Sequence, residues 1–112
     1  MIYQIHSKEQ LDNYVANAGD KLVVVDFFAA WCEHCKIIAP RLDELSRLYC
    51  GEALMLKVDV DECEDIAVDY NVVVMPTFVF IKNKIILDVC VGGHAEKLTK
   101  HFEKYIANAN SP

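Results

Sequence analysis

A run of nine residues, Lys21–Ala29 (KLVVVDFFA), constrains the fold more than any other part of the sequence. It is almost continuously apolar and rich in β-branched side chains, which is typical of a strand buried on both faces of a parallel sheet. Only Asp26 interrupts it. From Glu33 to Tyr49 the pattern changes to helical spacing, with apolar residues at Ile37, Ile38, Leu42, Leu45, Leu48 and Tyr49. A buried strand that leads directly into an amphipathic helix predicts an α/β fold.

The rest of the chain fits the same class. A capping signal at Ser7 predicts a helix that ends at Gly19, and another at Asp61 predicts a short helix through about Tyr70. A last helix follows Gly92-Gly93, with Leu98, Phe102, Tyr105, Ile106 and Ala109 on its apolar face. The remaining strands are expected at Ile2–His6, Ala53–Val60, Thr77–Lys82 and Ile85–Val91, the last two joined by an Asn83-Lys84 hairpin. The order β-α-β-α-β-α-β-β-α predicts a mixed sheet with helices on both faces.

Length and charge narrow the class of protein further. The 112 residues predict a single domain over residues 1–112, and a 54% hydrophobic content excludes a disordered chain. The net charge of −6 argues against binding to nucleic acid or to an anionic membrane, which both favour a basic surface. The N-terminal residues lack the basic and apolar regions of a secretory signal, so we expect a cytoplasmic protein.

Cys32 and Cys35 are the only closely spaced pair among five cysteines. Cys32 falls at the junction of the strand and the helix, where unpaired N–H groups favour a thiolate, the form that attacks disulfides. Cys35 lies one turn further and is placed to displace a bound partner by forming a disulfide with Cys32. The alternative is half of a zinc site, although no second Cys-x-x-Cys is present. For Cys50, Cys63 and Cys90, we expect buried or inert thiols rather than regulatory sites.

Several segments together resemble thioredoxin. They are VDFFAAWC at residues 25–32, Cys35-Lys36, Pro40, KVDVD at 57–61, MPTF at 75–78 and Val91-Gly92, in the order and spacing of that family. The resemblance implies a central five-stranded sheet with four helices, and a monomer that reduces protein disulfides. It also implies no bound cofactor or metal, since the redox-active group is the Cys32–Cys35 disulfide. Electrons would come from NADPH through thioredoxin reductase, and the substrates would be disulfide-containing proteins.

The resemblance also assigns roles to residues around the cysteines. Asp26, whose burial should raise its pKa, would handle the Cys35 proton with help from Lys57, although a hydrogen-bonded core residue is the alternative. Met75-Pro76 resembles the cis-proline of the family, rather than an ordinary turn. The predicted rim for a substrate peptide consists of Trp31, Met75, Pro76, Gly92 and Gly93. For Trp31, the alternative is an aromatic residue of the core.

One departure from the family lies between the cysteines, where Glu33-His34 replaces the usual Gly-Pro. A protonated His34 would stabilise the Cys32 thiolate, whereas Glu33 would oppose it, and we expect the histidine to dominate. The pair is therefore predicted to be less reducing than a Gly-Pro thioredoxin. Two other functions stay open: a disulfide oxidase or isomerase, and a module without turnover that binds partners in its groove or bridges a metal or iron–sulfur cluster.

Overall fold

Five strands and four helices make up the chain in a computed structural model, which describes the backbone of residues 1–109 and the side chains of residues 1–106. The strands are β1 (Ile2–Ile5), β2 (Leu22–Phe28), β3 (Ala53–Asp59), β4 (Thr77–Lys82) and β5 (Ile85–Val91). The helices are α1 (Lys8–Ala16), α2 (Glu33–Leu48), α3 (Glu64–Asp69) and α4 (Ala95–Ala109). The predicted order of elements is confirmed.

The sheet is mixed, with the strand order β1-β3-β2-β4-β5. β3 runs parallel to both β1 and β2, while β4 is antiparallel to β2 and to β5. In this register Asp26 on β2 lies beside Lys57 on β3 and Phe78 on β4. The carboxyl ends of β2 and β3 therefore meet at one edge, which is where α2 begins.

Central strand β2 divides the core into two layers, because its side chains alternate between the faces of the sheet. Val23, Val25 and Phe27 pack on the face covered by α1 and α3. Leu22 and Val24 pack on the opposite face, against α2 and α4. By the same alternation, Asp26 belongs to the face that α2 covers. The charged residue is thus held inside the layer that carries the two cysteines.

Two sequence expectations about the helices need correction. α1 begins at the predicted Ser7 cap, but it ends at Ala16 rather than continuing to Gly19. Ile37 and Leu48 are exposed, because they lie about 80–100° around the helix from the buried stripe of Ile38, Leu42 and Leu45. On α4 the predicted apolar face is buried from Leu98 to Ile106, and the side chain of Ala109 lies outside the described residues.

The start of α3 also differs from the prediction. Asp61 does not cap the helix; the residue before α3 is Cys63, which makes no side-chain capping bond. Instead, Asp59 Oδ1 accepts the backbone N–H of Asp61 at 2.9 Å and thereby shapes the turn after β3. The carboxylate of Asp61 is therefore free to form a hydrogen bond elsewhere.

In the part of the chain that the structure describes, no helix is long and apolar enough to cross a membrane.

Candidate active site

Cys32 and Cys35 form a disulfide at the start of α2, with their Cα atoms 5.3 Å apart. Cys32 is the residue that caps the helix, and its Sγ accepts the backbone N–H of Cys35 at 3.2 Å. Both residues are largely buried, at 5% and 9% exposed. A helix N-terminus carries partial positive charge, and a sulfur in this position is therefore well placed to bear negative charge when the disulfide is reduced.

The segment before β4 faces this disulfide. The Met75-Pro76 peptide bond is cis, as the resemblance implies. The carbonyl oxygen of Met75 lies 3.6 Å from Cys32 Sγ, and the Pro76 carbonyl accepts the backbone N–H of Gly92 at 2.9 Å. The structure thus brings Met75, Pro76 and Gly92 together beside the cysteines, at the rim that the resemblance implies.

Trp31 lies on the surface next to Cys32 and is 64% exposed, which rules out the alternative of a core aromatic residue. Its indole Nε1–H donates to Asp61 Oδ2 at 2.8 Å. Asp61 was not predicted as a site residue, because its spacing in the sequence fits a helix cap. The contact follows from the parallel pairing of Phe28 with Asp59, because the residues that follow these two strand ends lie close together.

Asp26 is the charged residue buried beneath the disulfide, at 7% exposed. Desolvation raises its pKa from 3.8 to about 7, against an opposing pull from the positive charge of Lys57. No protein group donates a hydrogen bond to its Oδ1 among the residues that the structure describes. The alternative of a core residue held by hydrogen bonds therefore fails for this oxygen, and the carboxyl group titrates near neutral pH.

A cleft of about 380 Å³ is lined by both this carboxyl group and Cys35. Its walls include Asp26, Cys35 and Lys57, together with Phe28. The ammonium group of Lys57 lies 4.4 Å from the centre of the Phe28 ring, in a cation–π contact that keeps it at the cleft. A space of this size admits water molecules, so protons can pass between Cys35 and Asp26.

The two residues between the cysteines are both exposed on the first turn of α2. Glu33 Oε1 lies 3.2 Å from Lys36 Nζ, so the negative charge of Glu33 is partly balanced by its own helix. His34 packs against the loop after β5: a Cβ atom on Gly93 would lie 3.0 Å from the Cβ of His34 and 3.1 Å from its carbonyl oxygen. Gly93 thus packs closely on His34, and a side chain at residue 93 would press on the first turn of α2.

Replacing Gly93 by alanine should destabilise the protein by about 1–3 kcal/mol, because the added methyl group forces the first turn of α2 to move. Urea denaturation of the oxidised protein measures this change. Gly51 provides the matched control, since a Cβ there meets no atom within 4 Å. Gly51→Ala should be neutral or stabilising by about 0.4–1 kcal/mol. Equal losses in the two variants would contradict the proposed contact.

The three other cysteines lie outside this site and are free thiols. Cys63 and Cys90 are buried, and burial raises the pKa of both thiols, which makes them poor nucleophiles. Cys50 is exposed at the end of α2, so it is not a buried thiol, and its expected inertness stays a prediction. Within the described residues, no cluster of three or more His, Cys, Asp or Glu side chains is arranged to hold a metal ion.

Comparison with known proteins agrees with this geometry. Residues 2–106 match the Thioredoxin family model. The chain is 53% identical to Thioredoxin-T of Drosophila melanogaster over 94% of this chain and 67% of that protein. It is 44% identical to mouse (Mus musculus) thioredoxin over 94% of this chain and 99% of that one.

Solved structures give the same result. The X-ray structure of Fasciola hepatica thioredoxin superimposes with a TM-score of 0.88 at 36% identity, covering 91% of this chain and 97% of that chain. The thioredoxin of Schistosoma mansoni superimposes with a TM-score of 0.87 at 40% identity, covering 93% and 94%. The family match at residues 2–106 extends over all five strands and the paired cysteines, and the chain belongs to the thioredoxin family.

Proposed function

We propose that this protein reduces disulfide bonds in other proteins by dithiol–disulfide exchange at Cys32 and Cys35. The observation that carries the proposal is the position of Cys32 Sγ, which caps α2, accepts the N–H of Cys35 and forms a disulfide with it. The nearby Met75 carbonyl and the exposed Trp31 ring offer an extended substrate segment a polar and an apolar contact. In this proposal the protein acts as a single-domain monomer in the cytoplasm.

The exchange takes place in two steps. The Cys32 thiolate attacks one sulfur of the substrate disulfide, a new S–S bond forms, and the other substrate sulfur leaves and is protonated. Cys35 then loses its proton and attacks Cys32 Sγ, which releases the second substrate thiol and closes the Cys32–Cys35 disulfide. Two electrons pass from the dithiol to the substrate, which is reduced to two thiols.

Asp26 is the residue we assign to the proton of Cys35. A group that titrates near the working pH is suited both to accept and to release a proton, and burial brings the pKa of Asp26 to about 7. The positive charge of Lys57 keeps the pKa of Asp26 from rising further, and this is the role that we assign to Lys57. The cleft shared by Asp26 and Cys35 gives the proton a route.

Regeneration of the dithiol completes the cycle. We propose that a thioredoxin reductase returns two electrons from NADPH to the Cys32–Cys35 disulfide, so that the protein itself holds no cofactor. The same surface around the disulfide would serve the reductase and the substrates in turn. Replacement of Gly-Pro by Glu33-His34 alters the part of this surface that both would contact.

Reduction of insulin with NADPH and a thioredoxin reductase tests the proposal. We expect turnover that depends on both cysteines. An oxidase or isomerase would instead oxidise or rearrange a reduced test protein in glutathione buffer faster than it reduces insulin. A coloured or metal-containing preparation without turnover would favour the cluster-bridging module and would contradict the proposal.

The redox potential of the cysteine pair follows from the residues between them. Changing Glu33-His34 to Gly-Pro should make the pair more reducing by some tens of millivolts, because one lost contact of about 1.4 kcal/mol to the Cys32 thiolate corresponds to about 30 mV. Equilibration of both proteins with glutathione measures the difference. Glu33→Gln is the control that separates the two residues, since it removes only the opposing charge. Equal potentials in the Gly-Pro variant and the natural chain would show that His34 has no such role.

A further inference from the structure

A second cleft, of about 360 Å³, opens beside Met75 and does not include Asp26. The six residues that line it are His34, Val74, Met75, Gly92, Gly93 and His94. It reaches the reacting sulfur through Met75, whose carbonyl oxygen lies 3.6 Å from Cys32 Sγ. A peptide segment that engages Cys32 along Met75 therefore has to place a neighbouring side chain in or over this cleft.

Packing against two glycines brings the two histidines to the cleft. His34 rests on Gly93, where a Cβ atom would approach it to 3.0 Å. The ring of His94 lies against Gly92, where a Cβ would come within 3.3 Å of its Cδ2 atom. Gly92 has a positive φ of 104°, a conformation that favours glycine, so this turn can hold the ring close. Both histidines are nevertheless exposed and face an incoming ligand.

The charge of this cleft differs from that of the whole chain. The chain carries 17 acidic and 11 basic residues, yet no carboxylate lines the cleft. At its border the ammonium group of Lys97 lies 3.2 Å from the carbonyl oxygen of Val91, the residue before Gly92. The acidic groups nearby lie outside this cleft: Asp61 accepts from Trp31, Glu33 pairs with Lys36, Asp26 lines the other cleft, beside Cys35, and Glu96 lies in the first turn of α4.

We infer that His34 and His94 select substrate segments that carry an acidic side chain beside the disulfide cysteine. A carboxylate in the cleft would accept N–H bonds from the imidazole rings, and these bonds strengthen when the rings are protonated. Lys97 adds a positive charge that attracts such a segment. Since this selection acts on the exchange at Cys32, the inference rests on the function proposed above.

The test compares three disulfide peptides that differ only beside the cysteine, with glutamate, glutamine or lysine there. The measured quantity is the second-order rate constant for their reduction by the reduced full chain at about pH 6 and low salt, where charges are least screened. The glutamate peptide should react about three- to tenfold faster than the glutamine peptide, and the lysine peptide slowest. High salt should reduce these differences because it screens charge.

Variants at His94 connect the preference to the cleft. His94→Lys should keep the preference for the glutamate peptide, whereas His94→Glu should reverse the order of the glutamate and lysine peptides. His6→Gln is the matched control, because His6 pairs with Glu62 and does not line the cleft, and it should leave the ratio unchanged.

Two kinds of failure are distinguishable. Equal rates for the glutamate and glutamine peptides, or an order that His94→Glu leaves unchanged, would overturn the inference while leaving disulfide reduction intact. If no peptide were reduced, the proposed function itself would fail, and the inference with it. The comparison of peptides on the natural chain needs no variant, so a variant that failed to fold would not decide the result.

Discussion

Changing Cys32 to serine should lower the rate of disulfide reduction by a factor of about 10³ or more, because the hydroxyl group cannot replace a thiolate as the attacking group. Cys35→Ser should have a different effect. It retains the first attack but cannot close the Cys32–Cys35 disulfide, so the mixed disulfide with the substrate should accumulate after one turnover. Gel electrophoresis without reductant, together with the insulin assay, measures both outcomes.

Cys50→Ser is the control for this pair of variants. Cys50 is an exposed free thiol at the far end of α2, so it is accessible to substrates but has no helix N-terminus beside it. This variant should reduce insulin at the rate of the natural chain. Activity that survived in Cys32→Ser but disappeared in Cys50→Ser would show that Cys50, at the other end of α2, is the attacking thiol, and would contradict the proposal. Failure of Cys35→Ser to trap any substrate would favour a binding module.

Asp26→Asn should slow the release of the mixed disulfide and at the same time stabilise the fold at neutral and alkaline pH. Burial raises the pKa of Asp26 from 3.8 to about 7, so folding takes up a proton between these two values. Stability from this group is therefore highest below about pH 4, falls as the pH rises towards 7 and is constant above it. At about 1.4 kcal/mol for each pKa unit, the loss is roughly 4 kcal/mol.

The asparagine variant avoids this loss but leaves a buried amide short of partners, which costs about 1–3 kcal/mol. We therefore expect a net gain in the free energy of unfolding of about 1–3 kcal/mol at pH 8, and a flatter pH dependence between about pH 4 and 7. Urea denaturation of the oxidised protein across this range measures both. Unchanged turnover would refute the assignment of the Cys35 proton to Asp26, and an unchanged pH profile would refute the raised pKa.

Lys57→Met is a useful companion to this variant. The charge of Lys57 lowers the pKa of Asp26, so its removal should raise that pKa above about 7 and extend the fall in stability to higher pH. Lys36→Met is the control, because Lys36 also lines the cleft but pairs with Glu33 at the surface. It should leave the titration of Asp26 unchanged.

The features that were predictable from sequence are those that local pattern and burial determine. The apolar run at 21–29 could bury its side chains on both faces only as a central strand. The change to helical spacing after it placed Cys32 at the start of α2. The Asn83-Lys84 hairpin was likewise predictable from the local sequence. Both residues adopt the positive φ angles that its turn requires. For these elements, sequence and structure agree within a residue or two.

Contacts between distant segments were harder to predict. The local spacing of Asp61 fits a helix cap. Its carboxylate instead accepts the indole N–H of Trp31, which follows the end of the neighbouring strand. Nothing in the pattern singled out His94 either, because its proximity to His34 depends on how the loop after β5 packs on α2. Such contacts follow from strand register and loop packing, which composition and periodicity leave undetermined.

The most direct test of the account is the rate at which iodoacetamide labels Cys32 in the reduced protein. A sulfur that caps α2 and faces the N–H of Cys35 should be held as a thiolate, so at about pH 6 it should react at least tenfold faster than free cysteine. Mass spectrometry of the labelled peptides distinguishes Cys32 from Cys35 and the other thiols. Labelling of Cys32 no faster than free cysteine would contradict the account and leave only the fold.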